Sequence, residues 1–225
     1  MNQTIVLHQW EASPFCRKVG RILDFKGLSY EVYNYNGLRG VMALRLSKVG
    51  KLPVLDVQGL RVQDSTKIAR LLDELYPDKL IYPLDPFERA KAELWEDWAD
   101  EVLYWFEGYF RIKDDIALSH FVKLMCEGRS NVEYILLKSM LKVAGEAGLK
   151  MQGIGRMSRE NVEAEFWRHL DRIELTLSSS NWLVGTNKTI ADIAVGSQLH
   201  EFVRTSPLRR EIEQRPHLNA WLKRI

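Results

Sequence analysis

The 225 residues carry 32 Lys and Arg against 30 Asp and Glu, for a net charge of +2, and 46% of them are apolar. Such a chain can build one large or two small domains around an unstapled core, and its balanced charge points away from disorder and from a nucleic-acid partner. Two distant cysteines, Cys16 and Cys126, make no disulfide framework; no basic leader opens the chain, and no run approaches the roughly 20 apolar residues of a membrane span. The expectation is a soluble, cytoplasmic protein with no membrane contact.

Residues 4–10, rich in β-branched and apolar side chains, predict a first strand. Val19, Ile22, Leu23 and Phe25 then recur at helical spacing and stop at Gly27, which predicts a helix capped by Ser13 with Pro14 at its first position. A helix start offers free N–H groups and the positive end of the dipole. The hydroxyl of Ser13 and the thiol of Cys16 therefore share a turn that would stabilise a thiolate. Two readings follow from these residues alone: a sulfur-handling site, or a helix cap with no chemistry. Residues 29–35 alternate like a second strand, and 36–50 form a Gly-punctuated, partly helical connection. Residues 53–57 and 60–62 read as a hairpin about Gln58-Gly59. Ser65 then caps a helix to about residue 76, with Ile68, Leu71, Leu72 and Leu75 on one face. The order, βαβ then ββα, predicts a small mixed sheet covered by helices.

From Pro86 onward the pattern is helical. Tyr82-Pro83-Leu84-Asp85-Pro86 reads as a linker, because two prolines disfavour a continuous helix, and it divides the chain into domains at 1–81 and 87–225. Leu94, Trp98, Val102, Trp105 and Tyr109 predict one inward stripe of a long helix; Val162, Phe166, Leu170, Ile173 and Leu177 predict another. Between them 113–158 is less regular, with a helix expected near 131–144 and a Gly-rich stretch at 145–155. The five histidines have no metal-ligand spacing, so no metal is expected, and Gly153-Ile154-Gly155-Arg156 lacks the strand-turn-helix setting of a nucleotide loop.

Four segments carry a family likeness. Ser13-Pro14-Phe15-Cys16-Arg17-Lys18-Val19 with Lys26-Gly27-Leu28-Ser29-Tyr30-Glu31, and Gly50-Lys51-Leu52-Pro53-Val54-Leu55 with Gln63-Asp64-Ser65, resemble the N-terminal half of glutathione transferases. Trp182-Leu183-Val184-Gly185 with Thr189-Ile190-Ala191-Asp192-Ile193-Ala194, and Pro216-His217-Leu218-Asn219-Ala220-Trp221-Leu222, are similar to that family's C-terminal helices. The resemblance implies a thioredoxin-like α/β domain followed by an all-α domain, with glutathione as co-substrate and a hydrophobic electrophile as its acceptor. It implies that Ser13 hydrogen-bonds the glutathione sulfur and favours its thiolate. It also implies that Lys51, Leu52, Pro53, Asp64 and Ser65 hold the tripeptide, with Pro53 in a cis peptide. Trp10, Trp105 and Tyr109 are the expected rings of the electrophile pocket. Cys16 is the rival centre: it stands where thioredoxin-like redox proteins have their second cysteine, so it could exchange glutathione with disulfides. Thr189 and Asp192 are expected to cap a helix and take no part in chemistry.

The same resemblance implies a homodimer. The expected contact sets Arg61, Lys67, Arg70 and Asp73 against Glu93, Glu96, Asp97 and Asp100. Gln152-Gly153-Ile154-Gly155-Arg156 resembles a segment of metaxin-like and axon-connection-type proteins, which implies an alternative role as a catalytically weak glutathione-binding or interaction protein.

Overall fold

The alternating residues of the first strand are satisfied by pairing on both sides. In the computed structural model, which describes residues 4–225, β1 (Ile5–Gln9) lies parallel to β2 (Tyr30–Asn34) and antiparallel to β3 (Val54–Val57). Leu7 is thereby flanked by Val32 and Leu55. β4 (Leu60–Gln63) closes the sheet in the order β2-β1-β3-β4. The crossover helix α1 (Pro14–Lys26) ends at Gly27, whose φ of 71° is the left-handed conformation that lets its amide reach the carbonyls of Leu23 and Asp24. Helix α2 (Ser65–Leu75) packs beside α1, and Val19, Ile22, Leu23, Leu55, Ile68 and Leu72 are fully buried between helices and sheet. Removing these side chains from water is the main source of stability for this half. A 3-10 segment, Gly37–Arg45, fills the connection between β2 and β3.

The remaining elements are helical: α3 (Pro86–Trp98), a single π turn (Ala99–Leu103), α4 (Tyr104–Lys113), α5 (Asp115–Met125), α6 (Asn131–Gln152), α7 (Arg159–Ser178), α8 (Ile190–Thr205), α9 (Arg209–Glu213) and α10 (Pro216–Leu222). The stripe expected on α7 is buried as read, from Val162 to Leu177. Helix α8 forms the axis of this half and is buried on nearly every side from Ile190 to Leu199. Its capping residue Asp192 accepts from the amides of Leu183 and Thr189 and from Trp221 Nε1, each at 2.9 Å. One carboxylate thus ties three parts of the C-terminal motif together.

The stripe expected on the long helix is buried only in part: Tyr109 lies in the core and Trp98 and Trp105 pack against it. Leu94 is 69% exposed and Val102 lies at the surface, whereas Ala92, Glu96, Ala99, Leu103, Phe106 and Phe110 face inward. The π turn adds a residue to one turn and shifts the helical phase. The inward face also holds two alanines and a glutamate, which apolar periodicity does not select. Helix α6 runs eight residues beyond the expected 144, because Gly145 and Gly148 stay helical. At Gly145 a Cβ would come within 2.7 Å of Ile112 Cδ1, so the close approach to α4 requires glycine. Helix α5, read as irregular, buries Ala117, Leu118, Phe121, Val122 and Met125.

The charges expected to face a second copy are largely engaged within the chain. Lys18 of α1, 1% exposed, binds Glu96 at 2.6 Å and Asp100 at 2.7 Å. Asp73 is held by Lys26 at 2.7 Å and by the amides of Ile81 and Tyr82. Arg61 pairs with Asp56 at 2.6 Å, and Arg70 lies 3.8 Å from Glu93. For Lys18 and Lys26, burial of the ion is the reason for pairing, since an unpaired buried charge costs several kcal/mol, on the order of 3–5; the Arg61 and Arg70 pairs are exposed. Lys18→Met should therefore destabilise the fold by about 3–5 kcal/mol, read as a lower urea midpoint; an unchanged midpoint would show that the cation is dispensable.

Candidate active site

The two halves enclose a cleft of about 630 Å³ beside the N-terminus of α1. Its polar end is made by Ser13, Lys51, Leu52 and Asp100, and its apolar walls include Trp10, Phe15, Tyr104 and Trp105. Leu137, Met140, Leu141 and Ala144 of α6 form the far wall. The volume is within the range of small-molecule sites, roughly 300–1,000 Å³.

Ser13 is the N-cap of α1, with Pro14 inside the first turn as expected. Its Oγ accepts from the Cys16 amide at 3.4 Å, and the residue is only partly buried. Three residues on, Cys16 is sealed from solvent: it is 0% exposed, and burial pushes its thiol up to about 12. The hydrogen bond to Ser13 and the Trp10 backbone lower it without overcoming that penalty. At 0% exposure the Cys16 thiol lacks the access that an exchange centre needs, which counts against that reading.

Lys51 and Leu52 lead into β3, and the Leu52–Pro53 peptide is cis. Because Val54 pairs with Gln63, Pro53 is brought beside Asp64 at the start of α2. Asp64 caps that helix, its Oδ1 accepting from the amides of Thr66 and Lys67 at 3.1 Å. Its φ of 98° is a left-handed conformation that a non-glycine residue adopts at a cost of about 1–3 kcal/mol, and such strain concentrates at functional sites. Ser65 is buried on the same turn. Thr66 bridges to Lys18 at 3.1 Å and Glu96 at 3.0 Å, which fixes this turn against the helical half.

Of the expected pocket rings, Trp10 and Trp105 line the cleft and Tyr109 does not. Tyr109 is 4% exposed and packs edge-on against Phe110 at 5.4 Å, while Tyr104, on the same helix, lines the cleft. Tyr104 stacks with Phe15 at 5.0 Å. Asp100, Tyr104 and Arg111 were not singled out as cleft residues from the sequence, although their spacing places them near one helix face.

Arg111 sits at the cleft's inner end, paired with Glu107 and 4.0 Å from Glu201, while Glu201 also binds Arg17 of α1 and Arg204. Burial raises the Glu107 carboxyl from 4.5 to about 7, against the attraction of Arg111, and the charge of Glu201 adds to the rise. Its folded-state value exceeds its unfolded one, so the folded form holds a proton that the unfolded form releases between about pH 4.5 and 7. This contribution to stability is present below that window and is lost as pH rises through it. Glu107→Gln should flatten the fall in melting temperature between pH 5 and 7; a slope equal to that of the wild type would remove Glu107 as its source.

Among the described residues, no cluster of His, Cys, Asp and Glu is arranged to hold a metal, and no helix is long and apolar enough to cross a membrane.

The sheet, the helical half and the cleft between them define a glutathione-transferase fold. The models for the glutathione S-transferase N-terminal and C-terminal domains match residues 7–80 and 156–224, and the chain belongs to this enzyme family. It is 37% identical over 101 residues to glutathione S-transferase U7 of Arabidopsis thaliana, a match spanning 44% of each chain. It is 28% identical over 224 residues to the isoprene-epoxide glutathione S-transferase of Rhodococcus sp., covering 96% of this chain and 92% of that one. The crystal structure of the β-etherase LigF from Sphingobium sp. superposes with a TM-score of 0.69 at 24% identity, covering 99% of this chain and 94% of LigF.

Proposed function

We propose that this protein conjugates glutathione to hydrophobic electrophiles, with Ser13 activating the thiol. The observation that carries this reading is a partly exposed Ser13 hydroxyl on the first turn of α1 at the mouth of an open cleft, with Cys16 sealed behind it. The Ser13 O–H would donate to the glutathione sulfur and lower its pKa, while the α1 dipole adds to the stabilisation. The thiol proton passes to solvent. The thiolate then forms a C–S bond at an electrophilic carbon, and that carbon's leaving atom takes the bond's electron pair. Relatives named for an isoprene epoxide and for β-ether cleavage are consistent with such attack at carbon.

In this reading the tripeptide lies along the Leu52 edge, as an added strand would, with its glycyl carboxylate near Lys51. Its γ-glutamyl carboxylate meets the start of α2 at Ser65, and its ammonium meets Asp64. The interaction-protein alternative is less favoured, because the 113–158 region builds one wall of the cleft and leaves about 630 Å³ open. Ser13→Ala should lower kcat/KM about 10²-fold on a panel of an aryl halide, an epoxide and an aryl ether. Cys16→Ser should retain most of the activity. Equal rates for wild type and Ser13→Ala would end the serine assignment.

A homodimer is part of the same proposal. With most of the expected charges engaged internally, its support comes from exposed apolar side chains, among them Leu60 (49%), Phe87 (80%) and Leu94 (69%). Light scattering at micromolar protein should give twice the mass of one chain; a single-chain mass at every concentration would refute pairing.

A further inference from the structure

Helix α6 is inverted relative to an ordinary surface helix. Its charged side chains turn toward neighbours: Glu133 pairs with Arg129 at 2.9 Å and accepts from the Leu38 amide, Lys138 reaches Ser119, and Lys142 reaches the Ile112 carbonyl and Glu146. Its wet face is apolar. Every exposed position from 132 to 147 is uncharged, and Val132, Ile135, Leu136, Met140 and Val143 are between 49% and 70% exposed. A solvated helix face normally holds the charges, and a contiguous apolar face of this kind marks an interaction surface.

The 3-10 segment Gly37–Arg45 borders the same cleft, and its three residues per turn sort the side chains into rows. Gly37, Gly40 and Ala43 form the inward row, with Gly40 against Trp10. Val41 and Leu44 form an exposed apolar row that shares the cleft rim with Met140. Arg39 and Arg45 flank Met42 on the third row, and Lys48 follows. All three cations are exposed, residues 37–50 include no Asp or Glu, and no described carboxylate lies within 4 Å of any of the three.

Charge decides what covers this rim. A two-fold contact with a second copy would bring the same cations from both chains and no carboxylate from either 37–50 segment. An anionic phospholipid surface satisfies both parts of the pattern: headgroups meet the cations, and the acyl boundary takes the apolar side chains. We propose that α6 and residues 37–50 form a peripheral docking face for an anionic lipid bilayer, with the cleft mouth opening toward the lipid. The contact is interfacial, since among the described residues no helix is long and apolar enough to cross a membrane. Docking stands apart from conjugation; delivery of a lipid-dissolved electrophile to the cleft rests on the reading of the cleft as the electrophile site.

Co-sedimentation with phosphatidylcholine vesicles, with and without phosphatidylglycerol, tests docking in the absence of glutathione and electrophile, so that failure of conjugation is read separately. The wild type should sediment with the anionic vesicles and be released by high salt. Replacing the three cations together, Arg39→Gln with Arg45→Gln and Lys48→Gln, should weaken that binding about 100-fold. Ile135→Gln with Val143→Gln, which touches neither the core nor the cleft lining, should weaken it about ten-fold at an unchanged melting temperature. A wild type that stays in solution with every vesicle would overturn the proposal, as would an apolar-face variant that binds like the wild type. A fall in mass by light scattering in that variant would assign the face to a second copy instead.

Discussion

Adjacent cations on α1, Arg17 and Lys18, hold the sheet half against the helical half, and the cleft depends on that seam. They reach partners far along the chain: Lys18 binds Asp100, 82 residues away, and Arg17 binds Glu201, 184 residues away. Both receiving sites are largely closed to water, with Glu96 and Glu201 at 0% exposure. Bringing such charges together is costly unless each finds its partner, so the seam tolerates few alternative registers. Its contribution is determinacy of position more than net stability. Because Ser13 lies on the same helix one turn earlier, fixing Arg17 and Lys18 also fixes the hydroxyl relative to Asp100 and Tyr104 across the cleft.

That arrangement explains how one turn can carry a hydroxyl and a thiol in opposite states. Residues three apart on a helix lie on nearly the same face, so helical rotation alone does not separate the two groups. Ser13 stays at the rim because it is the cap and its backbone is still extended, with ψ at 125°. Cys16 is inside the helix and closed off completely. The dipole acts on both, but desolvation acts only on the buried thiol and dominates it. Position relative to the core, and not residue chemistry, separates an accessible group from a sealed one here.

A similar division runs through the cleft itself. Its rings come from the β1–α1 connection, α1 and α4, while an aliphatic wall comes from α6. The π turn at Ala99–Leu103 serves both faces of the helix: it directs Leu103, Phe106 and Phe110 to the core and Asp100, Tyr104 and Trp105 to the cleft. Gly145 allows α6 to approach α4 closely enough to complete the enclosure.

Local interactions were legible in the amino-acid order. The Ser13 cap, the Gly27 stop, the Gln58-Gly59 hairpin, the Thr189–Asp192 capping box and the apolar stripe of α7 each depend on residues within a turn or two of one another, and each forms where its pattern predicts. Their order along the chain carried the family resemblance, and with it the two-part fold. What the sequence left open was set by contacts between distant segments. Asp73, Glu96 and Asp100 read as surface charges because nothing nearby in sequence neutralises them; only the packed chain brings Lys26 and Lys18 to them. Tyr109 reads as a pocket ring only through the family resemblance; its place in the apolar stripe puts it in the core, where it lies. Arg111 carried only the local signal of its i,i+4 pairing with Glu107; its contacts with Phe121 on α5 and Glu201 on α8 come from distant segments. Capping and periodicity act within one turn and are written in neighbouring residues, whereas burial and charge pairing are properties of a surface that exists only after the chain has folded.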